Sequence, residues 1–358
     1  MKNLALLVLV ALTMVSCGKP DPEDIFKKEK SGVVVVLNKF YYEMQLPTGQ
    51  SIYFTGFGED GSLQNMTDDV NEIQQRPQMS FGTAFFVDKE GTLLTNRHVV
   101  APPIDKEQVQ SSFAGMLQAM RAMANGYMRQ LYQRYQQLEA QKRQCYYYDD
   151  YGNLGVMQDK VTAIEQQQVQ VQREFNKAQS IVQSTAQMSR TSDLKLRVVS
   201  QLGIAYDGSQ VSGENDFLMK NPTVVVKTSS DENIDLALIQ LKSKKTPRDS
   251  YVFDVRRRRS GLKINSRLYM IGYNAGIVVA NTRKGIKAQM TTGTVSQQPD
   301  GDRVLYSIPT VEGSSGSPVV NEDGELVAVN FAKLAVGHAE NFNFGISLEQ
   351  IDSFFKQR

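Results

Sequence analysis

Between residues 105 and 190 the chain changes character, and that change constrains the fold more than any other feature. Up to residue 104 the apolar residues come in short β-type runs: SGVVVVLNKFYY, SIYFTGF, GTAFFVD and TLLTNRHVV. Gly-containing turns such as Asp60-Gly61 and Glu90-Gly91 separate some of them. From Asp105 to about Arg190 the sequence is instead rich in Gln, Met, Ala, Arg and Glu. Val109, Phe113, Met116, Met120, Met123 and Tyr127 recur there at alternating spacings of four and three, an a/d heptad stripe. The stretch YYYDDYGNLG at 146–155 breaks the pattern, and a second stripe follows: Val161, Ile164, Val171, Phe175, Ala178 and Val182. β-type runs then return at LKLRVVSQLGIAY, TVVVKTS and DLALIQLK and continue through RLYMIGY, RVLYSIPTV, ELVAVNF and FNFGIS. Strand signals on both sides of a helical segment read as a β-protein into which a long antiparallel helical hairpin is inserted. The Met-rich stripe has two readings, packing between the two helices or a surface that binds lipid or substrate.

The 358 residues suffice for about two domains, and 41% apolar residues suffice for a core. A net charge of +2 does not call for a nucleic-acid partner. The opening MKNLALLVLVALTMVSC has a short positive start at Lys2 and an uncharged apolar run from Leu4 to Val15. That run is short for a membrane span and reads as a signal peptide. It ends in Met14-Val15-Ser16-Cys17-Gly18, which resembles a bacterial lipobox, with Cys17 as the lipidated residue. The expectation is an exported protein of the bacterial cell envelope, held at a membrane by an N-terminal lipid and facing the periplasm or the exterior. The polar GKPDPEDIFKKEK would be its tether. The other cysteine, Cys145, then has no intrachain partner, so the core holds the fold without a disulfide. A basic run from Lys242 to Arg259 reads as a solvated loop or as an attraction to anionic headgroups. The expected segments are 1–17 signal peptide, 18–30 tether, 31–104 and 195–255 first β-barrel, 105–194 hairpin, and 256–358 second β-barrel.

Chemistry concentrates in three places. Gly313-Ser314-Ser315-Gly316-Ser317-Pro318 offers a serine at the tip of a tight turn between two strand-like runs. Gly313, lacking a side chain, lets the amides of Gly313 and Ser315 point into one space, as an oxyanion hole requires. Serine is a weak nucleophile and needs a base, and the base needs a carboxylate to orient it. His98 in TNRHVV is one of only two histidines, and Asp235 opens the apolar run of NIDLALIQL. Alone, His98 reads as structural or exposed and Asp235 as a turn or cap residue. The other histidine, His338 in GHAEN, reads as a surface residue.

Taken in the order His, Asp, Ser with these flanking sequences, the chain resembles trypsin-like serine peptidases of the chymotrypsin fold. It is most similar to the bacterial branch that includes the high-temperature-requirement proteases and the glutamyl endopeptidases. GTAFFVDKEGTLLTNRHVV, NIDLALIQL, GSSGSPVVNEDGELVAVNF and FNFGIS carry the resemblance, over roughly 31–104 and 195–358. It implies a mostly β fold of two six-stranded-type barrels, with the hairpin inserted in the first, and no cofactor or metal. It also implies Ser315 as nucleophile, His98 as general base and then acid, and Asp235 as the residue that orients His98. Thr310 and Asn330 would line the specificity pocket. Pro309 stands where Arg- and Lys-cleaving relatives carry an Asp, which argues against that preference. Ser314 replaces the Asp that digestive relatives use for activation, and Ser317 replaces a common second glycine. No PDZ-like segment is read after the peptidase region. The expected activity is a serine endopeptidase acting on proteins or peptides of the cell envelope. The alternative is a silent or latent scaffold that binds partners, or assembles with itself, through the hairpin.

Overall fold

A computed structural model describes residues 19–188, 194–231, 233–256, 261–333 and 343–357. The signal segment with Cys17, Arg257–Arg259 of the basic run and His338 lie outside the described residues. The chain begins with helix α1 (Pro22–Glu29) and strands β1 (Val33–Gln45), β2 (Ser51–Phe54), β3 (Gln78–Phe86) and β4 (Thr92–Thr95). A single helical turn, α2 (Arg97–Val100), precedes the long helix α3 (Lys106–Arg143). A small ribbon, β5 (Tyr146–Tyr148) with β6 (Leu154–Val156), turns the chain into α4 (Gln158–Gln187). Strands β7 (Lys195–Tyr206), β8 (Pro222–Thr228) and β9 (Ala237–Leu241) follow, then β10 (Arg267–Gly272), β11 (Gln289–Thr294) and β12 (Arg303–Tyr306). The chain ends in β13 (Pro318–Val320), β14 (Leu326–Lys333), β15 (Asn343–Ser347) and helix α5 (Leu348–Lys356).

The first barrel is the ring β1-β3-β4-β9-β8-β7, closed by pairing of β7 with β1. The second sheet runs β11-β10-β13-β14-β15-β12. It curls until its two edge strands meet at the Val295–Tyr306 bridge. The mostly β architecture with an inserted helical hairpin is thus the one expected. Strand periodicity explains how the barrels are filled and joined, because alternate side chains leave opposite faces of a strand. Val34 and Val36 point into the first barrel with Ala84, Phe86, Leu93 and Ile239. Val33 and Val35 leave the other face of β1 and join a core shared with Tyr269, Ile271, Val329 and Ile346 of the second barrel. Each fully buried Val, Ile or Phe stabilises by about 1.5–3 kcal/mol, so this shared core makes the barrels one body.

The chain accordingly divides otherwise than by barrel. One compact unit holds the described parts of Met1–Lys39, Met79–Pro102 and Ser200–Arg358, and the other holds Phe40–Gln78 with Pro103–Val199. The second unit takes the far half of β1 and β2, paired from Tyr42 opposite Phe54 to Gln45 opposite Ser51. The reason is its core, in which Phe40, Tyr42, Met44 and Phe54 surround Val109, Phe113 and Leu117 of α3.

Two local readings change. The expected tether carries α1, capped by the Asp21 carboxylate on the Glu23 amide, with Pro22 at its first position and Ile25 and Glu29 buried. The α3 stripe also shifts. Val109 and Phe113 are buried as expected, but the seam continues through Leu117, Ala124, Leu131 and Leu138, while Met120, Met123 and Tyr127 are exposed. Met116 and Leu117 are both apolar, and a step of four instead of three after Phe113 selects Leu117. The second stripe keeps its register: Val161, Ile164 and Ala178 are buried, and Val171, Phe175 and Val182 are half-buried. Among the described residues no helix is long and apolar enough to cross a membrane.

Candidate active site

Strand β4 is wholly buried and stops at Thr95; Asn96 then leaves the strand with extended backbone and begins the single turn of α2, which carries His98. Two bonds lock that turn onto the segment before β9: the Asn96 amide Nδ2 and the Arg97 N–H both donate to the Asp235 carbonyl, at 2.9 and 3.2 Å. The Asp235 side chain lies between the buried Ile234 and Leu236 and is itself buried. A buried carboxylate needs hydrogen bonds to be tolerated. It finds two on one residue: the His98 backbone N–H donates to Oδ1 at 2.9 Å, and His98 Nδ1 pairs with Oδ2. With Nδ1–H given to the carboxylate, the neutral imidazole keeps its lone pair on Nε2. The His98 side chain is 36% exposed, with the Phe331 ring beside it at 6.5 Å between centroids.

The Ser315 turn joins the loop after β12 to β13. Gly313 has φ 92°, in the left-handed region. A Cβ there would fall 2.4 Å from the Gly276 nitrogen, so both conformation and space demand glycine. Ser314 is buried and turns inward, its hydroxyl donating to the Val311 carbonyl at 2.6 Å. The Gly313 and Ser315 N–H groups have no hydrogen-bond partner among the described residues. Ser315 is half-buried and its hydroxyl is likewise unpaired, with no direct hydrogen bond to His98. The turn is tied to the histidine side of the molecule through the backbone: the Thr83 N–H of β3 donates to the Ser315 carbonyl at 2.8 Å, and β3 pairs with β4, which leads to His98.

Asn330 and Thr310 are engaged with the protein. Asn330 is 1% exposed; its Nδ2 donates to the Ser314 carbonyl at 2.9 Å and its Oδ1 accepts from the Tyr306 hydroxyl at 2.7 Å. Burial pushes the Tyr306 phenol well above its ordinary pKa, so it remains a donor. Thr310 donates to Asn343 Oδ1 at 2.6 Å. Both side chains thus hold the segment that leads into Ser315, Asn330 at Ser314 and Thr310 through Asn343. Asn96 and Phe331 are neighbours of His98 that sequence reasoning passed over. The signal for Asn96 was its place at the strand end directly before the histidine turn.

Residues 198–329 match the family model of the trypsin-like peptidase domain. The match contains Asp235 and Ser315, while His98 lies before it, across the hairpin. No curated protein matches the chain.

Proposed function

We propose that this chain, which carries a trypsin-like peptidase domain and so has a serine-protease-type fold, is a serine endopeptidase of bacterial cell-envelope proteins. The observation that carries the reading is the double hold of Asp235 on His98, through backbone N–H and Nδ1, which leaves Nε2 as a base. In this reading His98 Nε2 takes the Ser315 proton as the hydroxyl attacks the substrate carbonyl. The unpaired amides of Gly313 and Ser315 receive the developing oxyanion. The tetrahedral intermediate collapses as His98 gives its proton to the leaving amine, and an acyl-enzyme remains. Water, deprotonated by the same imidazole, then releases the acid and restores Ser315. Asp235 stabilises the imidazolium at each stage and stays ionised. Lipidation at Cys17 would keep this chemistry at a membrane surface, and equal membrane recovery of Cys17→Ala and wild type would exclude it. The test of the activity is labelling of the full chain with a fluorophosphonate, comparing wild type with Ser315→Ala and His98→Ala. Labelling that needs both residues is expected, and a folded wild type that never labels would overturn the reading.

A second reading rests on the hairpin. Met120, Met123, Tyr127 and Ile181 are exposed around a groove of about 530 Å³ between α3 and α4. That surface favours a chain that binds partners there, with or without catalysis. Mutating Met123 and Ile181 to Ser while keeping labelling intact separates the two roles.

A further inference from the structure

A glycine turn with two unpaired amides is a soft object. Rotating the Glu312–Gly313 peptide by half a turn would put the Glu312 carbonyl where the Gly313 N–H had been, and no oxyanion could bind. The carbonyls of the turn show what opposes this. Glu312 accepts from the Ala275 N–H at 2.7 Å, and Gly313 from the Thr83 hydroxyl at 2.8 Å. Ser314 accepts from the Ser317 N–H at 3.1 Å and from Asn330 Nδ2, and Ser315 accepts from the Thr83 N–H at 2.8 Å. Every carbonyl from 312 to 315 is therefore occupied, while the N–H groups of 312, 313 and 315 have no partner among the described residues.

Two of these donors are placed in ways that packing alone does not require. Thr83 lies on β3 of the first barrel, fully buried, and binds the turn of the second barrel twice. Its hydroxyl accepts from the Tyr273 N–H at 3.2 Å, so its own proton is directed to Gly313. Its carbonyl takes the Thr95 hydroxyl at 2.7 Å, three residues before His98. Ala275 has φ 60°, a left-handed conformation that an alanine adopts at a cost, and Gly276 follows at φ 54°. That conformation aims the Ala275 N–H at Glu312.

We propose that Thr83 and Ala275 are positioning residues which hold the oxyanion turn in its reactive orientation before any substrate arrives. Thr83 does so while registering the serine turn against the strand that leads to the histidine. The proposal rests on the serine-peptidase reading. It predicts that the Thr83 hydroxyl and the left-handed backbone at 275 matter to reaction rate and not to substrate affinity.

The experiment measures the fluorophosphonate labelling rate of the full chain, with casein turnover and melting temperature alongside. Thr83→Val keeps the shape and removes the hydroxyl; labelling and kcat should fall by about 10- to 100-fold with KM little changed, at temperatures where the variant is still folded. Thr83→Ser should restore both. Because a buried substitution can disturb folding, position 275 gives an independent pair. Ala275→Asn tolerates the left-handed region and should label like wild type, whereas Ala275→Val resists it and should lose rate. Wild-type labelling with no loss in Thr83→Val or Ala275→Val would overturn the clamp and leave the peptidase reading standing. A folded wild type that never labels would remove both.

Discussion

Asp235 makes His98 a directional group: the carboxylate fixes which ring nitrogen holds the proton, and the backbone bond fixes the ring's place. Asp235→Asn keeps the size but offers an amide that can donate to Nδ1, which favours the wrong tautomer. Labelling of Ser315 is then expected to fall by up to about 10⁴-fold in a chain that still folds, the size of the effect seen in triads of this type. Wild-type labelling in that variant would exclude Asp235 from the role. Gly313→Ala should also lose labelling. Its Cβ would collide with the Gly276 nitrogen at 2.4 Å, and its φ would be strained. A folded Gly313→Ala chain with wild-type labelling would show that the turn has room for a side chain at 313. These residues stand out in the sequence because each motif carries its chemistry in a short local pattern: an apolar strand and a histidine, a buried-looking Asp, small residues around Ser315. Thr83 was not legible, since a threonine in a buried strand is ordinary until its hydroxyl is seen to reach Gly313. Ala275 was not, because a positive φ leaves no mark on an alanine. Asn330 was read by position as a pocket residue; its buried side chain is bonded to Tyr306 and Ser314.

The hairpin shows how far periodicity reaches at the scale of an element. Its existence, its two helices and the break at 146–155 were legible, since long heptad runs differ in kind from strands. The break itself is held by the Asp149 carboxylate, which accepts from the Tyr151 and Asn153 amides at 2.9 and 2.8 Å. The seam of α3 was not legible, because Met116 and Leu117 are adjacent and both apolar. The structure settles it through Leu117, Ala124, Leu131 and Leu138, and at the far end Leu138 packs on Cys145, Val161 and Ile164. Leu138→Ala should destabilise the hairpin by about 2–5 kcal/mol, read as an earlier loss of helical signal on thermal unfolding. Met123→Ser, at an exposed position, should change stability by less than about 0.5 kcal/mol. The reverse ranking would mean that the methionine stripe, as first read, is the true seam.

At the scale of the whole molecule, the segment first read as a tether is part of the folded body. Ile25 of α1 joins the core shared by the barrels. Glu29 at its end is 1% exposed, with Oε2 unpaired among the described residues and Oε1 against the Gly324 turn, 2.7 Å from where a Cβ would stand. Its prolines and lysines hid this, since a polar stretch with two prolines looks the same whether it is free or ends in a docked helix. Burial pushes the Glu29 carboxyl up to about 8, against the opposing pull of the Lys28 charge. The sign of the effect follows. In the unfolded chain Glu29 ionises near its ordinary value of 4.5, whereas the folded chain keeps it neutral until about pH 8. Folding is therefore favoured by the protonated form, and this contribution declines as pH rises from about 4.5 to 8 and stays lost above that. Its full extent is on the order of 5 kcal/mol. Glu29→Gln keeps the shape and cannot ionise. Its stability in chemical denaturation should match wild type near pH 4.5, exceed it by a margin that widens up to about pH 8, and keep that margin at pH 9. A constant difference between the two chains across that range would show that Glu29 is solvated and that α1 is docked more loosely than its burial indicates.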